Sequence, residues 1–187
     1  MNRLNPFFLF RGHWKSLGDY RAGRVRGQFW IRVIVLVVPV ALGLWIFFAH
    51  GKLADPSAML AALGLLAGAL LAAFAQLATW RLRLTEREEA HKNSERIDRD
   101  HLDETAAQLL VASYSSATAA LFLVLGMNFS ADKHGAISGV WAALAVVAAS
   151  HVILVFLVAV PRLYSSYVTI NGVRDELSGY SSSRRHQ

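Results

Sequence analysis

Two apolar stretches of the sequence carry the side chains that could hydrogen-bond or move a proton within them. One stretch contains Gln108, Ser115 and Ser116, and another contains a single ionisable side chain near its middle, His151. Gln108 and Ser115 are two helical turns apart and share one face of a helix, with Ser116 beside them. Such groups could line a water-filled path through an oligomer, or they could join helices by hydrogen bonds, as they commonly do in lipid.

The imidazole of His151 allows two interpretations. An ionisable side chain inside a membrane is a functional hypothesis by default, and His151 could line a hydrated path. Alternatively, a neutral His151 hydrogen-bonded to a serine of the third apolar segment would only stabilise the packing of helices. One histidine does not make a proton relay, so the sequence does not predict an enzyme or a proton-coupled transporter.

A possible metal site lies between the second and third apolar segments. Glu88 with His91, and Asp98 with His101, have the i, i+3 spacing of di-iron bundle sites. Those sites need carboxylates that project into a bundle core, whereas these residues lie in a block dense in charge. The sequence has no cysteine, no nucleophile elbow, no phosphate-binding loop and no HExxH motif. We therefore expect no catalytic residue, no metal and no cofactor.

The elements that position these side chains are four apolar segments, each long enough to cross a membrane. A hydrocarbon core about 30 Å thick requires about 20 apolar residues in a helix. Apart from Arg32 near the start of the first, the segments contain no Asp, Glu, Lys or Arg. The sequence therefore predicts an all-α polytopic membrane protein. Its four transmembrane helices are predicted at 29–49, 57–80, 105–128 and 137–160.

The distribution of basic residues predicts the orientation of these helices. Four spans place both termini and the 81–104 connector on one side, and this side holds 17 of the 19 Lys and Arg residues. Only Lys52 and Lys133 fall on the other side. Positive charge collects in the cytoplasm, so we expect a bacterial inner-membrane protein with both termini cytoplasmic. The net charge of +6 follows from this topology, and no nucleic-acid binding is expected.

The 81–104 connector is predicted to be a charged cytoplasmic helical hairpin. It contains no Gly or Pro, and opposite charges recur at helical spacing, which stabilises helices by about 0.2–0.5 kcal/mol per pair. The hairpin could be only a solvated connection, or it could dock a cytosolic protein. The residues predicted to dock such a partner are Glu88, Lys92, Glu95, Arg96 and Arg99.

Aromatic residues mixed with basic ones indicate a membrane interface. Residues 1–28 are predicted to form an interfacial helix on the inner leaflet, and residues 161–187 a cytoplasmic tail. At the ends of spans, aromatic rings suit the headgroup layer. The predicted interface residues are Phe7, Phe8, Phe10, Trp14, Trp30, Trp80 and Tyr164.

Small residues in two spans predict close helix packing. Gly64 and Gly68 form a GxxxG pattern in the second span, and Ala142, Ala145 and Ala149 give the fourth a small-residue face. Glycine and alanine are also frequent in spanning helices without such a role. If the pattern does mark packing, these faces favour self-association into a homo-oligomer.

The order and character of the segments resemble a group of small four-helix bacterial and phage membrane proteins associated with phage exclusion. RexB of lambdoid phages and the membrane subunit of the Kiwa defence system are of this type. The resemblance lies in SHVILVFLVAVPRLY, from Ser150 to Tyr164, and in an Ala/Gly/Leu-rich second span before a charged connector. It covers about residues 57–167 and does not include the N-terminal segment. It implies either a membrane subunit that anchors or activates a cytosolic partner, or a pore that depolarises the membrane.

Overall fold

The computed structural model describes residues 11, 25–86, 94–171 and 173. Within these residues, four helices are long and apolar enough to cross a membrane, which confirms the predicted helical class. The helices are α1 (Val25–Phe48), α2 (Pro56–Glu86), α3 (Ser94–Phe129) and α4 (Gly139–Ile170). Two short strands, β1 (Lys52–Leu53) and β2 (Ile137–Ser138), pair in antiparallel fashion.

The start of α2 follows from its first residues. The Asp55 carboxylate accepts a hydrogen bond from the Ala58 backbone N–H at 2.9 Å and so caps the helix. Pro56, which has no N–H to satisfy, occupies the first helical position.

The fourth helix differs from its predicted bounds at both ends. It begins at Gly139, because Ile137 and Ser138 pair with β1 and are extended. It also continues through Pro161 to Ile170, so the first ten residues of the predicted tail are helical. A proline removes one helical hydrogen bond, but here the helix resumes beyond it.

The helices pack in the spatial order α2, α3, α4, α1. In the most apolar 18-residue stretch of each helix, buried residues make up 44% in α3 but only 11% in α2 and 17% in α1. Neighbouring helices are antiparallel, so the bundle has two ends. At one end of the bundle, α1 and α3 begin and α2 and α4 end, and we call this the charged end. The other end carries β1 and β2, and we call it the strand end.

Candidate functional site

The imidazole of His151 lies between α4 and α1. Its Nδ1 is 3.2 Å from the backbone carbonyl oxygen of Val35, which is 116 residues away in the chain. A carbonyl oxygen can only accept, so Nδ1 carries the hydrogen and donates it. The sequence pointed to a serine of the third span as the partner, whereas Nδ1 uses a backbone carbonyl of the first.

The neighbouring proline explains why the Val35 carbonyl takes this hydrogen bond. In an α-helix, the carbonyl of residue 35 accepts from the N–H of residue 39, and residue 39 is Pro39. Because proline has no N–H, the Val35 carbonyl has lost its usual helical donor. Val35 and Pro39 are both buried, so a donor from another helix is needed. His151 supplies it.

The residues predicted to form a polar path do not lie together in the structure. Ser116 is buried and donates its hydroxyl to the Leu63 carbonyl oxygen at 2.9 Å, which joins α3 to α2. This is the interhelical bonding that the sequence left as one alternative. Gln108 is fully buried in the bundle, nearer the charged end. Ser115 and His151 instead line a groove on the side of the bundle.

This groove has a volume of about 270 Å³. It forms because α1 and α3 both pack against α4 but contact each other little, so α4 is its floor. The lining residues are Leu36, Pro39 and Val40 of α1, Tyr114, Ser115 and Thr118 of α3, and Val147, Ala148 and His151 of α4. Nearly all of the surface that faces the groove is apolar, although three hydroxyl-bearing residues and one histidine lie along it.

The two predicted small-residue faces have different surroundings. Ala142, Ala145 and Ala149 are buried inside the chain, in a cluster with residues of α2 and α3. This face is therefore not available to a second copy, contrary to its predicted part in self-association. Gly64 and Gly68 are exposed, and a Cβ added to either would have no atom within 4 Å. They do not bring helices of one chain together.

The close helix contacts of the chain are made by other glycines. A Cβ on Gly43 would overlap the Val147 side chain and lie 3.1 Å from the Ala143 carbonyl oxygen, so α1 and α4 meet there. A Cβ on Gly126 would lie 3.1 Å from Cβ of Trp141, so α3 and α4 also approach closely there. Sequence reasoning missed Gly43, because the residues four positions away on either side are proline and phenylalanine rather than small.

At the charged end, an ion pair joins α2 to α3. The Arg81 Nε donates to the Asp103 carboxylate at 3.2 Å. The ring of Trp80 lies 6.1 Å from that of Tyr167 on α4. Trp30, Trp80 and Tyr164, three of the predicted interface residues, all lie near this end of their helices.

Several predicted residues lie outside the described part of the chain. For the interface these are Phe7, Phe8, Phe10 and Trp14, and for the docking surface Glu88 and Lys92. Glu95, Arg96 and Arg99 lie in the first turns of α3, and only their backbone is described. Their roles stay predictions.

At the strand end, Asp132 joins the two connectors. Its Oδ2 lies 2.9 Å from the Lys52 Nζ, and its Oδ1 accepts from the backbone N–H groups of His134 and Ala136. The hydrogen bond from Lys52, followed by that from His134, lowers the pKa of Asp132 below its ordinary value of 3.8.

Comparisons of the chain with protein families, curated proteins and solved structures find no match. The chemistry of the described residues is that of hydrogen bonding and packing. Three features stand out. His151 donates to the Val35 carbonyl that Pro39 leaves without its helical donor, and a groove opens at the side of the bundle. At the charged end, the Arg81–Asp103 ion pair joins α2 to α3.

Proposed function

We propose that the chain crosses a bacterial inner membrane four times, with both termini and the 81–104 connector in the cytoplasm. The outward faces of its helices are apolar, as at Trp45, which is 70% exposed, and Leu65, which is 79% exposed. So large an apolar surface suits hydrocarbon better than water. The excess of Lys and Arg at the charged end supports a cytoplasmic location for that end.

The function that the geometry supports best is the docking of a cytosolic protein by a homo-oligomeric membrane subunit. The observation that carries it is that α2 and α3 both continue as helices beyond their apolar parts, next to an ion pair that joins them. Their apolar parts are bounded by Leu82 and Leu102, whereas the helices extend to Glu86 and from Ser94. The Arg81–Asp103 ion pair holds them side by side just before they leave the apolar layer. We infer that the predicted docking residues Glu95, Arg96 and Arg99, in the first turns of α3, are presented beside the last turns of α2.

A role in anti-phage defence, with the partner anchored or activated when the membrane is disturbed, rests on the resemblance described above. The exposure of α2 suggests how a disturbance of the membrane could reach the connector. Only 11% of the residues in the most apolar 18-residue stretch of α2 are buried, so the other faces of this helix would contact lipid. A change in the bilayer would act on α2 directly, and α2 leads into the connector. Movement of α2 against α3 would alter the spacing of the docking charges.

The membrane topology can be tested with single cysteines, because the natural chain has none. Ala54→Cys lies at the strand end and Ser94→Cys at the charged end. In intact spheroplasts, an impermeant maleimide should label Ala54→Cys and reach Ser94→Cys only after permeabilisation. The opposite pattern would reverse the topology, and equal labelling of both would contradict membrane insertion.

The docking function can be tested by purification from gently solubilised membranes. The triple variant Glu88→Lys, Glu95→Lys, Arg99→Glu should lose a stoichiometric soluble partner that the natural chain retains. The matched control exchanges Lys52 and Asp132, which keeps the ion pair and alters charge only at the strand end. Recovery of the natural chain without a partner, or equal binding by the charge-reversed variant, would contradict the proposal.

Ion conduction, the alternative function, receives less support. The Ser116 hydroxyl is engaged with Leu63, and Ser115 and His151 line a groove at the side of the bundle. A pore would need several copies to bring these groups together. Liposomes that contain the purified chain should therefore stay ion-tight, and a sustained current would favour the pore.

A further inference from the structure

Gln76 is a polar side chain on the outward face of α2. It is exposed, although it lies six residues inside the Leu82 end of the apolar part of the helix. Trp80, whose ring suits the headgroup layer, follows one turn later, so Gln76 lies about 6 Å deeper than that layer. No residue that the structure describes forms a hydrogen bond with its amide. In a chain that spans the membrane, this amide would therefore face hydrocarbon, where an unsatisfied polar group is costly.

The direction of α2 keeps the Gln76 amide away from the nearer headgroups. Side chains of a helix tilt towards its N-terminus, and α2 begins at the strand end, so this tilt carries the amide towards the middle of the membrane. Other exposed polar side chains are satisfied within their own helices. The Thr79 hydroxyl donates to the Ala75 carbonyl at 3.1 Å, and the Thr118 hydroxyl to the Tyr114 carbonyl at 3.0 Å. The Gln76 amide instead needs a partner from outside the chain.

The residues around Gln76 would let a second helix approach closely. They recur at alternating spacings of three and four residues, which is the spacing of the contact line between two helices in a left-handed pair. Most of them are small, and small residues let helix backbones come together in membranes. We call this line the α2 seam, and its exposed residues are Ala62, Leu65, Ala69, Ala72, Gln76 and Thr79. Gly64 and Gly68 lie beside the seam and not on it.

We propose that the α2 seam binds the same seam of a second copy of the chain. The proposal rests on the membrane insertion and homo-oligomer proposed above, and not on partner docking. Two copies with the same topology, related by a two-fold axis along the membrane normal, have parallel α2 helices, so each seam residue meets itself. The Gln76 amides of the two copies would then hydrogen-bond to each other, because an amide both donates and accepts. One polar residue in such a contact line also fixes the register of the helices.

Other occupants would satisfy the seam less well. An acyl chain of a lipid would cover its small residues but has no group that can hydrogen-bond to Gln76. A helix of another protein would need its own polar group at the same depth, whereas a second copy provides one by symmetry. Residues beside the seam, such as Leu71, would still contact lipid. Because α2 continues to Glu86, the contact would also bring the 81–104 connectors of both copies together.

The first test is disulfide cross-linking of single-cysteine variants in membranes, since the natural chain has no cysteine. A disulfide forms only where the two Cα atoms are within about 7 Å. Ala72→Cys, on the seam, should therefore form dimers under mild oxidation. The matched control is Leu71→Cys, which is exposed at the same depth but points about 100° away around the helix. It should stay monomeric.

The second test measures the contribution of the amide itself. Energy transfer between labelled copies of the full chain is followed in liposomes as the chain is diluted with lipid. Gln76→Leu should weaken dimerisation about 3–20-fold, the effect of one interhelical hydrogen bond, and Gln76→Asn, which keeps an amide, should weaken it less. Thr79→Val is the control on the same seam. It should dimerise as the natural chain does, because the Thr79 hydroxyl bonds within its own helix.

Three results would overturn this interface. They are the absence of Ala72→Cys dimers, cross-linking of Ala72→Cys only to a different membrane protein, and equal dimerisation by Gln76→Leu and the natural chain. Dimers formed instead through Leu157→Cys, exposed on α4, would overturn the α2 seam but leave the homo-oligomer intact. A chain that stays monomeric in every membrane preparation would overturn both. Maleimide labelling decides membrane insertion separately, so the failures are distinguishable.

Discussion

His151 of α4 donates from Nδ1 to the Val35 carbonyl of α1, at 3.2 Å, where Pro39 has removed the helix's own donor. The three residues therefore form one unit. A proline within a spanning helix is tolerated when a neighbouring helix satisfies the freed carbonyl. The histidine is thereby explained as a packing residue of α1 and α4, without a need for proton transfer.

The first prediction follows from this dependence of His151 on Pro39. His151→Phe should destabilise the folded chain by about 0.6–1.5 kcal/mol, because it leaves the Val35 carbonyl without a side-chain donor. In a Pro39→Ala background the backbone N–H of residue 39 returns to that carbonyl, so the same substitution should cost much less. A double-mutant cycle, measured by unfolding in detergent, gives the coupling. If His151→Phe lowered the free energy of unfolding equally in both backgrounds, the role assigned to His151 would be contradicted.

A matched pair of glycine substitutions tests which helix contacts are close. Gly43→Ala should destabilise the chain by about 1–3 kcal/mol, because its Cβ would overlap Val147. Gly64→Ala should be neutral or should stabilise by up to about 1 kcal/mol, because its Cβ meets open space and alanine favours a helix. Thermal unfolding of both variants in one detergent is the measurement. A larger loss of thermal stability for Gly64→Ala than for Gly43→Ala would mean that the GxxxG pattern forms the close contact, and that it does so between two copies of the chain.

The number and type of the helices could be predicted from the sequence because both depend on local properties. A run of about 20 apolar residues without charge specifies a spanning helix by itself. Even there, Pro161 did not end α4, and Ile137 joined a strand only because β1 lies beside it. Both differences depend on neighbours in space.

The groove and its hydrogen bonds could not be predicted, because they join residues far apart in the chain. The periodicity of α3 placed Ser116 beside the face of Gln108 and Ser115 and left helix contact as one of two alternatives, but it could not identify the Leu63 carbonyl as the acceptor of Ser116. The partner of His151 is a backbone carbonyl oxygen, and every residue has one, so the sequence does not distinguish it from the others. Pro39 was the available signal, since a proline in a span requires a donor from elsewhere.

The third prediction concerns the bond between α3 and α2. Ser116→Ala removes the hydroxyl that donates to Leu63 and should cost about 0.6–1.7 kcal/mol, the range for interhelical bonds in membranes. The control is Thr118→Val, because the Thr118 hydroxyl donates to the Tyr114 carbonyl of its own helix. That variant should change stability by less than Ser116→Ala. Urea unfolding in mixed micelles measures both, and equal effects would mean that the Ser116 bond does not hold α2.

The last prediction concerns pH and the Lys52–Asp132 pair. The hydrogen bond from Lys52, followed by that from His134, lowers the pKa of Asp132 in the folded chain below its ordinary value of 3.8. The folded state therefore binds fewer protons than the unfolded state in this range, and stability rises with pH there. The stabilisation is complete above 3.8 and is lost as the pH falls through the folded-state pKa.

Asp132→Asn should reduce this loss of stability in acid, because the amide does not titrate. Lys52→Met should reduce it partly, because the N–H groups of His134 and Ala136 still favour the ionised carboxylate. The measurement is the unfolding temperature of each variant between pH 6 and pH 3, in a detergent whose charge does not change over that range. Parallel curves for the natural chain and Asp132→Asn would show that this carboxylate does not contribute to the acid sensitivity of the fold.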